Sequence, residues 1–326
     1  MGRDSWHPTA TTAALERRSD VVWSIRQFFH AHEFLEVHVP VISHDTVVDL
    51  NIEPVRIPAG SLNCLEAGEG ELFLQTSPEF AMKRLLASGL KAIYSIGPVF
   101  RAGERGKNHN PEFTMVEWYQ VGDDFAAGIA LLNRLIQAAI QSTAEEILTY
   151  QQVFLTHANI DPLTATVNHL AQLAVGHPLG VTLDWSDDRD TWLDLLFSVV
   201  VQPKLGFSRP TIVTHYPASQ SALAKLSAED PRTAERFELF VAGTELANGY
   251  HELLDASELV RRNLATEAKR SAEGRPALPI SSRLIEAMEA GIPACSGCAL
   301  GLDRLLMVAT KALSIDEVLA FPIERA

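Results

Sequence analysis

Two apolar runs, Ala92–Phe100 and Glu112–Val121, flank a short polar stretch, residues 101–111. The second run alternates and is rich in aromatics, so the pair reads as two strands joined by a hairpin loop. Further strand-like runs lie at 211–216, 235–241, 244–253 and 297–301. Helical periodicity falls in blocks between them. Residues 15–34 carry an apolar stripe of Leu15, Val22, Ile25, Phe28 and Phe29 and lead into the extended "EVHVPVIS", which contains Pro40. In "QTSPEFAMKRLLASG", Ser77 is placed as N-cap, Pro78 at the first helical position and Gly89 at the end. Residues 124–143, 257–272, 282–290 and 302–309 also read as helices, and 148–204 as mostly helical with breaks at 161–162 and 176–180. Strands linked as hairpins, with helices in blocks, predict an α+β fold whose antiparallel sheet is flanked by helices.

The polar loop contains Gly106-Lys107, which invites comparison with a phosphate-binding P-loop. That motif needs a glycine five residues earlier and Ser or Thr after the lysine. Here those positions are Arg101 and Asn108, and a strand rather than a helix follows, so the P-loop is rejected.

Composition narrows the function classes. A chain of 326 residues, 47% apolar, can bury a large core. No apolar run approaches the roughly 18 residues of a membrane span, and residues 1–19 lack the apolar centre of a signal peptide, so the cytoplasm is the expected compartment. The cysteines, Cys64, Cys295 and Cys298, suit a reduced compartment. Cys295-Ser-Gly-Cys298 lacks partner ligands at zinc spacing and reads as two small semi-buried residues. Lys and Arg total 27 against 41 Asp and Glu, a formal net charge of −14. That balance argues against an extended tRNA or DNA footprint, which depends on cationic contacts to phosphate.

Three stretches carry chemistry. On the strand after the loop, Phe113, Met115, Glu117 and Tyr119 share one face. A carboxylate on an apolar face is costly unless it meets a cation, supplied by a structural salt bridge or a substrate ammonium. In "RFELFVAGTELANGYHEL", a turn at Val241-Ala242 sets Glu238 opposite Glu245, where a divalent cation can bridge them, whereas a turn at Ala242-Gly243 shifts the pairing by one. Asn248 and Glu252 share a face of the same hairpin. In "GCALGLDRLL", Gly297 and Gly301 permit close backbone approach, and Arg304 on the following turn can hold a phosphate. Together these are the parts needed to bind ATP with Mg²⁺ on an antiparallel sheet.

The ordered trio of the segment ending at Pro40, "FRAGERGKNHNPEFTMVEWY" and "GLDRLLMVA" resembles the catalytic domain of class II aminoacyl-tRNA synthetases. "HNPEFTM", "VEWY" and "ELANGYHEL" are similar to the lysine-using branch. The resemblance runs from about Leu15 to Arg325, so 1–326 is expected to be one catalytic domain. Because the first motif begins within the first twenty residues, no anticodon-binding OB-fold is expected, and the chain resembles the elongation factor P–lysine ligase family. That family implies activation of lysine or (R)-β-lysine with ATP and Mg²⁺, transfer to a lysine of elongation factor P, and a homodimer through residues 15–42. It further implies that Arg101 holds the α-phosphate and substrate carboxylate, that Asn110 contacts the nucleotide, and that Phe113 stacks on adenine. His109 and Arg304 would meet the outer phosphates, Glu238 and Glu245 would ligate Mg²⁺, and Gly301 would let adenosine lie on the sheet. Glu79 would meet one substrate amine, with Ser77 and Pro78 shaping that wall, while Glu117, Tyr119 and Glu252 clamp the other ammonium and Asn248 the carboxylate. The chain departs from the family at Arg101-Ala-Gly-Glu104, where the acid comes one residue later than usual, and at Ala299, where lysyl-tRNA synthetases have Gly. A tRNA-charging enzyme and an inactive ATP-binding paralogue are the competing readings; retention of Arg101, Glu238, Glu245 and Arg304 counts against the second.

Overall fold

A computed structural model describes residues 6–63, 70–178 and 180–326; Cys64 lies outside these. The architecture is α+β, built on an eight-stranded sheet. In chain order the strands are β1 (Leu35–Glu36), β2 (Ile42–Ser43), β3 (Arg56–Pro58), β4 (Glu71–Leu74), β5 (Ala92–Phe100), β6 (Glu112–Val121), β7 (Glu146–Thr149), β8 (Thr211–Pro217), β9 (Thr233–Val241), β10 (Thr244–His251) and β11 (Cys295–Gly301). The large sheet runs β1-β5-β6-β11-β10-β9-β8-β7, and β2-β4-β3 form a small one. The centre is antiparallel, as expected, while β1–β5 and β7–β8 at the two edges are parallel.

The helices are α1 (Thr12–Ala31), α2 (Glu79–Ala87), α3 (Phe125–Ile140), α4 (Tyr150–Ala158), α5 (Val167–Val175), α6 (Arg189–Leu196), α7 (Ala256–Ala272), α8 (Arg283–Gly291) and α9 (Leu302–Thr310). Side-chain caps set several of their starts: the Thr11 hydroxyl accepts from the Ala14 amide, Asp124 from Ala127, and Ser282 from Ile285. The segment before α2 differs from expectation by one position. Pro78 is the residue preceding the helix, although Ser77 Oγ still accepts the Glu79 amide at 3.0 Å.

Strand alternation divides the central sheet. Val116 and Trp118 of β6, Phe237 and Leu239 of β9, Ala247 of β10, and Cys298 and Leu300 of β11 point to one face. There they meet Ile25 and Phe29 of α1, Leu132 and Leu135 of α3, and Leu305 and Leu306 of α9. Intervening residues point to the other face and line a cavity. Towards the β7 edge, that same face is roofed by α4–α6, whose Tyr150, Phe154, Trp192 and Phe197 pack with Val213, Tyr216 and Phe240.

Two expectations need correction, and one open choice is settled. Residues 148–149 close the strand 146–149 instead of opening a helical block, because Ile147 and Leu148 pair with β8 and Thr149 then caps α4 in a reciprocal capping box with Gln152. The α1 stripe, expected within a dimer contact, faces the chain's own core instead: Ile25, Phe28 and Phe29 are buried there with Val21, Val22 is partly buried against them, and the exposed large apolar groups of residues 15–42 are Trp23, Leu35 and Ile42. The β9–β10 turn is Ala242-Gly243, both at positive φ, so Glu245 pairs with Phe240 and Asn248 with Glu238.

Candidate active site

The β9–β10 hairpin shows how local backbone builds the site. A regular strand places Glu245 and Asn248 on opposite faces. A bulge between Glu245 and Ala247 breaks the alternation, so Leu246 enters the core while Glu245 joins Asn248 on the cavity wall. Glu238 and Glu245 therefore share one cavity without directly opposing one another. The cavity measures about 440 Å³, and of the residues proposed from sequence all but Pro78 line it. Pro78 lines a smaller neighbouring cavity.

One end is acidic. Glu117, 1% exposed, accepts from Ser77 Oγ at 2.8 Å and from Tyr119 Oη at 2.6 Å. Burial, and then the nearby Glu79 carboxylate, push its pKa up to about 7. Glu79 and Glu252 complete the acidic wall, but neither stands alone: the buried Lys83 ammonium contacts Glu79 and lies 2.6 Å from Glu252 Oε2. Burial pushes the Glu252 pKa up to about 8, against the downward pull of the Lys83 charge. Gly297 forms the floor. A Cβ there would meet the Tyr119 ring at 2.2 Å and Glu252 Oε1 at 2.5 Å, so only glycine lets both side chains lie across the strand.

The other end is cationic. Arg101 sits 5.1 Å from the Phe113 ring centroid and 3.8 Å from Glu104 Oε1. Gly103, at φ 79°, turns the loop so that the displaced acid folds back towards Arg101. Arg304 donates to His109 Nε2 at 2.6 Å and to the Glu245 carbonyl at 3.1 Å. Burial and then the Arg304 charge lower the His109 pKa, leaving its Nε2 as an acceptor. Asn110 is buried, donates to the Glu112 carbonyl at 2.6 Å and accepts from the Ile323 amide at 3.1 Å, which fixes its orientation. Asp303 also lines the cavity, but its carboxylate is already held, accepting from Arg18 of α1 at 2.5 Å and from the Thr114 amide at 2.6 Å.

Between the ends lies Arg236, which the sequence reading passed over. It pairs with Glu238, donates to Asn248 Oδ1 at 3.3 Å and to the Gln220 carbonyl at 2.7 Å, and stacks 4.6 Å over Tyr216. Tyr216 Oη donates to Glu238 Oε2 at 2.6 Å. Its signal was its position two residues before Glu238 on one strand face. Lys83 was likewise visible four residues after Glu79 on a helix. Among the described residues no group of three or more His, Cys, Asp or Glu is arranged to hold a metal. Glu238 and Glu245 both line the cavity, and Mg²⁺ commonly takes one or two such carboxylates and completes its shell with phosphates and water, although both Glu238 oxygens are engaged here by Arg236 and Tyr216. The thiols of Cys295 and Cys298 are free and buried, and burial pushes the Cys295 pKa up to about 12, so neither is a reactive thiolate.

The cavity thus lies on a glycine-floored antiparallel sheet between an Arg-bearing hairpin loop and a Gly–Arg strand-to-helix turn. The family model for tRNA synthetases class II (D, K and N) matches residues 6–325. A Vibrio cholerae protein named elongation factor P–(R)-β-lysine ligase is 43% identical over 326 residues, 100% of both chains. Proteins of the same name from Yersinia enterocolitica and Klebsiella pneumoniae are 43% and 44% identical over 325 residues, 99% of this chain and 98% of theirs. The chain belongs to the class II tRNA synthetase family, in the group with these ligases.

Proposed function

We propose that this chain is a ligase that uses ATP to activate (R)-β-lysine or lysine and passes the aminoacyl group to a lysine side chain of elongation factor P. The observation that carries the reading is the polarity of one cavity, with Glu79, Glu117 and Glu252 at one end and Arg101, His109 and Arg304 at the other. A substrate with two ammonium groups and a carboxylate matches that order. In this reading Glu117, with Tyr119, and Glu252 hold one ammonium, Glu79 the other, and Asn248 the carboxylate. Asn248 Oδ1 already accepts from Arg236 and its Nδ2 donates to Tyr250 at 2.8 Å, so the amide presents its N–H side.

ATP supplies the α-phosphorus that the carboxylate attacks, with pyrophosphate as the leaving group. Arg101 neutralises charge at that phosphate and Phe113 stacks on the adenine. Asn110 and Gly301 receive the nucleoside, while His109 and Arg304 receive the outer phosphates. Glu238 and Glu245 hold Mg²⁺, and Glu104 orders the loop through Arg101. The contribution is positioning and preorganised charge.

The chain works as one catalytic domain in the cytoplasm. It forms a two-fold dimer in which Trp23, Leu35 and Ile42 supply the exposed apolar contacts. No described helix is long and apolar enough to cross a membrane.

Pyrophosphate exchange should run with lysine isomers and fail with norleucine, which leaves buried carboxylates unpaired. Intact-mass analysis of elongation factor P should show one aminoacyl addition, lost when the acceptor lysine is replaced. No addition, with efficient charging of tRNA, favours the tRNA-dependent reading instead. Light scattering should give a dimer mass that Trp23→Glu reduces to a monomer.

A further inference from the structure

Lys83 does not line the cavity, yet it touches two residues that do. It is 2% exposed on α2, with its ammonium on Glu79 one helical turn back and on Glu252 beyond the end of β10. Among the described residues no other ion pair reaches either acid. Glu117 is anchored separately by Ser77 and Tyr119. Glu252 Oε1 lies against bare Gly297, so its carboxylate is confined from that side as well.

Three buried carboxylates in one wall repel, and their side chains would splay or take up protons if nothing tied them together. Lys83 ties Glu79 of a helix to Glu252 of a strand. In the function proposed above these acids belong to different ammonium subsites. Resting on that reading, we propose that Lys83 is a positioning residue that fixes the spacing between the two ammonium subsites and thereby lets the enzyme discriminate where along the carbon chain the second amine sits. A pocket that reads amine position needs rigid acids, because a misplacement of about 1 Å costs on the order of 10²-fold.

The test compares pyrophosphate exchange by the full-length wild type and Lys83→Ala with lysine and (R)-β-lysine. KM for the preferred isomer should rise by about 10²-fold, the ratio of kcat/KM between isomers should fall towards unity, and KM for ATP should stay unchanged. Added n-propylammonium, which replaces the side-chain atoms removed, should restore both KM and the isomer ratio, whereas tetramethylammonium should not. Unchanged KM and ratio in Lys83→Ala overturn the proposal, as does a loss that no primary amine restores. If Lys83→Ala does not fold, the uncharged pair Lys83→Met with Glu252→Gln carries the test, and retained discrimination there overturns the proposal. A wild type that activates neither isomer instead removes the functional reading on which the proposal stands.

Discussion

Glu238 and Phe240 are two residues apart on β9 and point from the same face of the sheet. Phe240 is fully buried beneath α4–α6 among Tyr216 and Phe197, in a contact made of rings and aliphatic chains. Glu238, almost as buried, is surrounded by Arg236, Tyr216 and the cavity. The helical roof closes one part of the sheet with dry packing, whereas the central strands keep charged groups under cover and satisfy them pairwise. Burial alone therefore does not mark the site. What marks it is burial of carboxylates that costs stability on its own and gains value when a cationic ligand arrives.

This contrast can be broken by exchanging the two kinds of effect. Trp192→Ala, in the roof, should cost about 3–5 kcal/mol, read as a lowered urea midpoint, while exchange activity per folded molecule is kept. Loss of activity without loss of stability would show that the roof takes part in chemistry. Arg101→Ala should do the reverse, lowering the exchange rate about 10²–10³-fold with the melting temperature retained.

Ala299 lies between Glu117 on β6 and Asn248 on β10. Ala299→Gly should change the preference between lysine isomers by about 1–3 kcal/mol and leave stability nearly untouched, as relative kcat/KM values would show. The smallest effect concerns pH. The Glu117 pKa rises on folding to about 7, so the folded state binds the extra proton and stability falls as pH climbs from the ordinary carboxylate range through 7. The slope is at most about 1.4 kcal/mol per pH unit. Glu117→Gln should flatten it, whereas wild-type affinity for a lysine isomer should weaken as pH drops below 7. Parallel pH profiles in the wild type and Glu117→Gln would count against Glu117 as the ammonium site.

Much of this was legible in the letters because strand periodicity is strict. Alternation from Glu112 to Val121 put Phe113, Met115, Glu117 and Tyr119 on one face, and all four line the cavity. Elements held by distant partners were not legible. β3 and β4 are short strands that owe their form to pairing with one another, and β7 owes its form to β8 far along the chain. The hairpin register could not be chosen from sequence because Val241-Ala242 and Ala242-Gly243 both offered a turn. Positive φ at Ala242 and Gly243 settles it. Lys83 and Arg236 were missed for a different reason: their importance lies in which acids they touch, and those contacts bridge separate elements.

The bulge at Glu245–Ala247 makes the active-site wall depend on a count of residues as well as on their identities. Straightening it by a one-residue slip of β10 would turn Asn248, Tyr250 and Glu252 towards the core and swing their apolar neighbours outwards, although every side chain would still be present. Variation across this hairpin should therefore arise by substitution. A lineage that lost the one extra residue would straighten the strand and keep its faces, whereas one that gained or lost a residue beyond Ala247 would need a compensating length change before β10 ends.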